Sequence, residues 1–125
     1  MPEYGTPFSG MSARDVAETI TFYRDVIGLD ASVDDNGMGV ISLGGDHRVL
    51  VYPKGDGHEP ASFTVLNLPV TDVGAAVQEL AAQGVEFLRY EGMPQDDDGV
   101  MRGHGPDIAW FTDPSGNVVS VIDVG

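Results

Sequence analysis

The chain contains no cysteine, which excludes disulfides, thiolate metal sites and a cysteine nucleophile together. Basic residues are scarce: six Lys+Arg stand against 20 Asp+Glu, for a formal charge of −14 at pH 7. Phosphate binding needs a basic surface, so nucleic acid is not an expected partner, and an anionic membrane surface is disfavoured for the same reason. No apolar run approaches the roughly 20 residues of a membrane span. Residues 1–10 lack the charged and apolar regions of a secretory leader, so the expected location is the cytoplasm.

What is present fits one globular domain. A length of 125 residues suffices to bury a core without staples, and 42% hydrophobic with 21% charged residues is ordinary globular usage. Seventeen glycines and eight prolines suit many short turns. The acidic balance favours solubility and also attracts cationic ligands over a Debye length of roughly 8 to 10 Å. The run Asp96-Asp97-Asp98, beside Gly99, reads as a solvated loop tip.

Apolar residues recur at helical spacing in two places. The first predicted helix covers 16–27, with Val16, Ile20, Tyr23 and Ile27 on one face, Asp15 as N-cap, Glu18 completing a capping box, and Gly28 at the exit. The second covers 73–83, with Val73, Val77, Leu80 and Ala81 inward, capped by Asp72 and ended by Gly84. Each helix follows one predicted strand (8–13; 62–70) and precedes three more (29–34, 38–43 and 48–52; 85–91, 108–112 and 118–123). Gly44-Gly45-Asp46 and Asp113-Pro114-Ser115-Gly116-Asn117 supply the hairpin turns. The unit is a βαβββ repeat of about 60 residues, with Ala13-Arg14-Asp15-Val16 answered by Val70-Thr71-Asp72-Val73. The expectation is a single α+β domain: first half 1–53, linker 54–60, second half 61–125, the two halves forming a curved mixed sheet around a cavity.

Three stretches carry a family resemblance: FYRDVIGL at 22–29, VTDVGAAVQELAAQGVEF at 70–87 and AWFTDPSGNVVSVID at 109–123. Together with the internal repeat they resemble the vicinal-oxygen-chelate superfamily, which includes glyoxalase I, extradiol dioxygenases and bleomycin-resistance proteins. In metal-using members, the first and last strands of each half supply His or Glu ligands, which hold an ion that also takes two substrate oxygens. Seven residues before each capping aspartate stand Phe8 and Val65, and the closing-strand positions are Ser120 and Val51, or Tyr52 with a slip of one. None is a His or a carboxylate. No metal and no other cofactor is therefore expected.

Three histidines remain. His47 lies beside the hairpin turn, His58 in the linker and His104 between Gly103 and Gly105, without the spacing that places two rings on one ion. All three read as exposed loop residues, with His104 the one a loop could bring over a pocket.

If the family positions face a cavity, alternation adds Gly10, Ser12, Phe63, Asn67, Val118 and Ile122 to the same side. Such a lining suits a flat or hydrophobic molecule oriented by Asn67 and Ser120. Tyr52, Tyr90 and Trp110 can stack on a ligand or face a cation. The stretch 92–106 lacks periodicity and reads as a lid or a dimer-spanning loop. Within it, Arg102 pairs with the Asp96–Asp98 run or recognises a ligand carboxylate. The expected ligand-binding set is therefore Phe8, Tyr52, Phe63, Asn67, Tyr90, Arg102, His104, Trp110 and Ser120.

Three functions follow. The favoured one is a metal-independent small-molecule-binding protein of the bleomycin-resistance type, for a hydrophobic or cationic ligand. The second is a metal-dependent glyoxalase-like lyase, isomerase or dioxygenase, and the third a metal-independent enzyme using His104, Tyr52 or Glu91 for proton transfer. The resemblance also implies a homodimer.

Overall fold

The computed structural model describes residues 1–124 and divides into two compact units, 1–60 and 61 onward. The first unit holds β1 (Ser9–Ala13), α1 (Val16–Thr21), β2 (Ala31–Val33), β3 (Gly39–Gly44) and β4 (His47–Pro53). The second holds β5 (Thr64–Pro69), α2 (Val73–Ala82), β6 (Ile108–Thr112) and β7 (Val118–Ile122). The α+β class expected from the sequence is the one observed. Each unit has a mixed sheet, ordered β1-β4-β3-β2 and β5-β7-β6, in which the opening strand runs parallel to the closing one. Among the described residues no helix is long and apolar enough to cross a membrane.

The repeated caps act alike. Asp15 accepts from the Glu18 amide at 3.1 Å and Asp72 from the Ala75 amide at 3.0 Å, each satisfying a helix-start N–H that has no intrahelical acceptor. Gly28 ends its helix at φ 88°, where a side chain would be strained. Between these ends the first helix changes pitch. Residues Phe22–Ile27 are π-helical, with the Gly28 and Leu29 amides both reaching back to the Tyr23 carbonyl. Tyr23 is fully enclosed and Ile27 only half-buried, and in the regular turn before them Thr19 joins Val16 and Ile20 inside.

In the first unit α1 lies on β2, β3 and β4. Gly39 is where helix and sheet touch most closely, since a Cβ there would stand 2.6 Å from Ile20 Cγ1 and 3.0 Å from Val51 Cβ. Met11, Gly39 and Val51 lie in one row across the sheet, so Val51 faces the helix. This overturns the expectation that Val51 lines the open face. Tyr52 does so instead, its ring 3.7 Å from where a Gly10 Cβ would be. Burial settles the register, because the alternate residues Val49 and Val51 must be covered by α1.

In the second unit α2 packs on β6 and β7, over the rows Phe111–Val119 and Ala109–Val121. All four residues are buried, each larger one worth about 1.5–3 kcal/mol. The strand expected at 85–91 is reduced to a bridge between Phe87 and Phe111, plus a 2.7 Å bond from the Leu88 amide to the Trp110 carbonyl. The reason is Gln95, whose side-chain amide accepts from the Tyr90 N–H and donates to the Leu88 carbonyl, occupying groups that a strand would use. A second departure lies in β5, where the register shifts between Thr64 and Leu66. The bulge breaks the two-residue period, so Thr64 rather than Val65 stands opposite Val118.

The segment expected as the linker, 54–60, is bonded to the first unit. The Lys54 amide bonds the Ala13 carbonyl at 2.9 Å, a 3-10 turn spans Gly55–Gly57, and His58 Nδ1 lies 2.7 Å from Ser12 Oγ. His58 is consequently buried, which corrects its reading as an exposed loop residue, whereas His47 and His104 are exposed.

Candidate functional site

The face of the second sheet opposite α2 carries Trp110, Ser120 and Asn67 in one row, because Ser120 is the register partner of both others. Ser120 Oγ, fully buried, donates to Asn67 Oδ1 at 2.5 Å. That bond uses the oxygen of the amide and leaves its NH₂ donors available on an exposed side chain. At the Trp110 end a cleft of about 290 Å³ opens, lined by Ser62, Phe63, Thr64, Tyr90, Met93, Trp110 and Val118. Tyr90 and Trp110 meet edge to face, centroids 5.4 Å apart at 85°, the geometry that aromatic quadrupoles favour. Phe63 is 68% exposed across the mouth. No carboxylate, imidazole, ammonium or guanidinium group stands in these walls.

Of the nine residues expected to bind a ligand, Phe63, Tyr90 and Trp110 line this cleft, and Ser120 and Asn67 continue its sheet face. The other four are not in its wall. Phe8 sits just before β1 with the Arg48 guanidinium 4.6 Å from its ring centroid, and Tyr52 lies on the open face of the first sheet. His104 occupies an exposed turn between two positive-φ glycines and is not part of the cleft wall.

Arg102 is taken up by neighbours, bonding Asp96 at 3.2 Å and Asp107 at 2.8 Å. Asp96 organises the stretch around it. Burial pushes its carboxyl up, but the Val100 amide, the Arg102 guanidinium and the Asp98 amide outweigh this and hold it below the usual aspartate range. Arg89 donates to the carbonyls of Asp96 and Asp97, and bridges join Gln95 to Met101 and Met101 to Ile108. The stretch expected as a lid is thus tied to itself and to β6. The Asp96–Asp98 run is a polar turn rather than a bare tip, and Val100 beside it is buried.

Met93 was not legible as a cleft residue. It follows a glycine at φ 80° in a turn without periodicity, and only the folding of that turn over Trp110 brings it in.

The residues present do not fit a divalent ion. Ser120 offers a neutral hydroxyl already donating to a neutral amide, Phe8 and Val65 have no donor atom, and Val51 points at α1. Hard or borderline cations need carboxylate, imidazole or several carbonyl oxygens. Among the described residues no group of three or more His, Asp or Glu is placed to hold a metal.

Comparison with known proteins agrees with the fold. Residues 9–121 match the model of the Glyoxalase/Bleomycin resistance protein/Dioxygenase superfamily. Among solved structures, TnmS3, an antibiotic binding protein from Streptomyces sp. CB03234, is 22% identical, with 98% of each chain covered and a TM-score of 0.68. A superfamily member from Sphaerobacter thermophilus is 20% identical over 97% of this chain and 98% of that one, at a TM-score of 0.70. A lactoylglutathione lyase from Agrobacterium tumefaciens is 18% identical over 99% of this chain and 96% of that one, at 0.67. No curated protein matches the chain. At these identities the solved structures speak for the fold alone.

Proposed function

The chain belongs to the glyoxalase/bleomycin resistance protein/dioxygenase superfamily, and from that premise we propose that it is a metal-independent binding protein for a planar, hydrophobic or cationic small molecule. One observation carries the reading: the cleft at Trp110 is walled mainly by aromatic and thioether groups with two hydroxyls, and holds no carboxylate, imidazole or amine. Stacking on Trp110, Tyr90 and Phe63 supplies area, and the π faces favour a positive charge that the −14 net charge also attracts. The Asn67 NH₂, which the Ser120 bond does not use, orients an acceptor group on the ligand. A structural neighbour named as an antibiotic binding protein is consistent with sequestration, while a neighbouring lyase shows that the fold hosts catalysis as well. The homodimer implied by the family resemblance belongs to the same proposal, with a monomer in light scattering at micromolar concentration as the contrary result.

The single tryptophan makes the test direct. A planar aromatic cation such as an acridinium dye should quench Trp110 fluorescence saturably, and Tyr90→Ala should weaken binding by about 1 kcal/mol or more, the scale of one lost aromatic contact. Quenching that Tyr90→Ala leaves unaltered would place the ligand elsewhere. Conversion of any bound compound to a product, or stoichiometric metal in the purified protein, would replace a binding role with an enzymatic one.

A further inference from the structure

The first unit carries two adjoining clefts that share a basic corner. One, of about 350 Å³, is walled by Thr6, Val40, Ser42, Asp46, His47 and Arg48. The other, of about 180 Å³, adds Pro7, Phe8 and Leu43 around the same His47 and Arg48. The geometry follows from register. Ser9 pairs with Val49, so Phe8, one residue earlier, falls alongside Arg48, and Ser42 is the partner of Arg48 across β3 and β4.

Arg48 is unusual in so acidic a chain. Arg24 is paired with Asp25 and Arg102 with Asp96 and Asp107, and Arg89 is held by backbone carbonyls. Arg48 has neither a carboxylate nor a carbonyl partner among the described residues, only the Phe8 ring at 4.6 Å. A cation–π contact positions the head group without consuming its five N–H donors. Beside it Phe8 is 53% and Leu43 45% exposed, apolar surface that gains by being covered.

We infer that this corner binds a monoanionic carboxylate carried on a compact apolar body. The carboxylate takes the free fork of Arg48, the geometry that a guanidinium matches in two parallel bonds, with the Ser42 and Thr6 hydroxyls as further donors. The apolar body lies on Phe8, Pro7 and Leu43. Asp46 sets the charge limit: it is among the residues lining the same cleft, and the whole chain is strongly negative, so a second negative charge on the ligand is repelled. Phosphate esters are selected against, and neutral analogues leave the guanidinium unanswered. The inference does not rest on the tryptophan cleft or on its proposed ligand.

The experiment is a titration of the isotope-labelled full chain with 2-naphthoate, 2-naphthylmethanol and 2-naphthyl phosphate, followed by amide shifts. Naphthoate is expected to bind best and to move residues 42–48 and Phe8. Arg48→Ala should weaken it about tenfold or more, the scale of a charge-assisted bond, and Phe8→Ala about threefold. Arg48→Lys, which keeps the charge but not the fork, should fall between. Asp46→Asn should tighten naphthoate and narrow the gap to the phosphate. Arg48 is exposed, so its variants should melt with the native chain, and Trp110→Ala should not alter naphthoate binding. Equal binding of the alcohol, binding indifferent to Arg48→Ala, shifts confined to the Trp110 cleft, or no binding at millimolar naphthoate would each overturn the assignment.

Discussion

Ser120 and Asn67 are joined by a 2.5 Å hydrogen bond in which the buried partner donates and the exposed partner accepts. The two ends are therefore not equivalent. Removing the hydroxyl with Ser120→Ala leaves Asn67 free to bond water, so a cost under about 1 kcal/mol is expected. Asn67→Leu keeps the bulk that excludes water and strands a buried hydroxyl, for about 1–3 kcal/mol. Urea unfolding of the two variants measures the difference, and equal costs would mean that water reaches Ser120.

Gly39→Ala should destabilise the first unit although alanine is the better-behaved residue in isolation. The added methyl would meet Ile20 at 2.6 Å and Val51 at 3.0 Å, and overpacking of this kind costs about 1–3 kcal/mol. Pairing it with Ile20→Val, which withdraws a methyl group, should recover part of the loss in thermal denaturation. Additive losses would show that helix and sheet separate there instead.

The turn around Asp96 should loosen in acid. A carboxyl whose folded value lies below its unfolded one stabilises the fold at pH above the unfolded value, and that contribution disappears as pH falls through the folded one. The Asp96 shift is downward, so the Val100 amide should stay protected from hydrogen exchange through the ordinary aspartate range and lose protection only below it. Asp96→Asn should abolish this dependence.

The closing hairpin stores its stability in buried polar groups. Asp113 accepts from the Ser115 and Asn117 amides at 2.9 and 3.0 Å, and Asn117 Oδ1 accepts from the Ala61 amide at 3.1 Å, tying the start of the second unit to its end. Asn117→Ala should cost about 1–3 kcal/mol by leaving that amide without its acceptor, with Ala61 the site of the largest change in hydrogen exchange. Asn117→Asp, which keeps the acceptor but sets a carboxylate beside Asp113, should destabilise more at neutral pH than in acid.

Local chemistry was legible wherever it acts within a few residues. The caps at Asp15 and Asp72, the glycine exit at Gly28 and the Asp113–Asn117 turn all depend on short-range bonds and appear where spacing puts them. Of the aromatic residues that alternation and stacking single out in the sequence, Phe63, Tyr90 and Trp110 are in the cleft wall, whereas Phe8 and Tyr52 are not. Facing was harder to read. Alternation assigns Val51 and Val65 to the open side, but burial under α1 turns Val51 inward and a bulge takes the ladder position from Val65. The strand at 85–91 was lost to Gln95, a residue whose side chain imitates a neighbouring backbone and whose partners lie five and seven positions away.

By itself, then, the sequence determined the repeat, the helix ends, the hairpins and the lack of charged ligands at Phe8, Val51, Val65 and Ser120, because each of these is a matter of residue type and short spacing. Tertiary structure alone decided which side chains share a face, that His58 is buried against Ser12, that Arg102 is paired, and that Arg48 rests on Phe8 without a carboxylate. Those outcomes hinge on register and long-range burial, where a shift of one residue reverses every side chain while the local pattern stays the same.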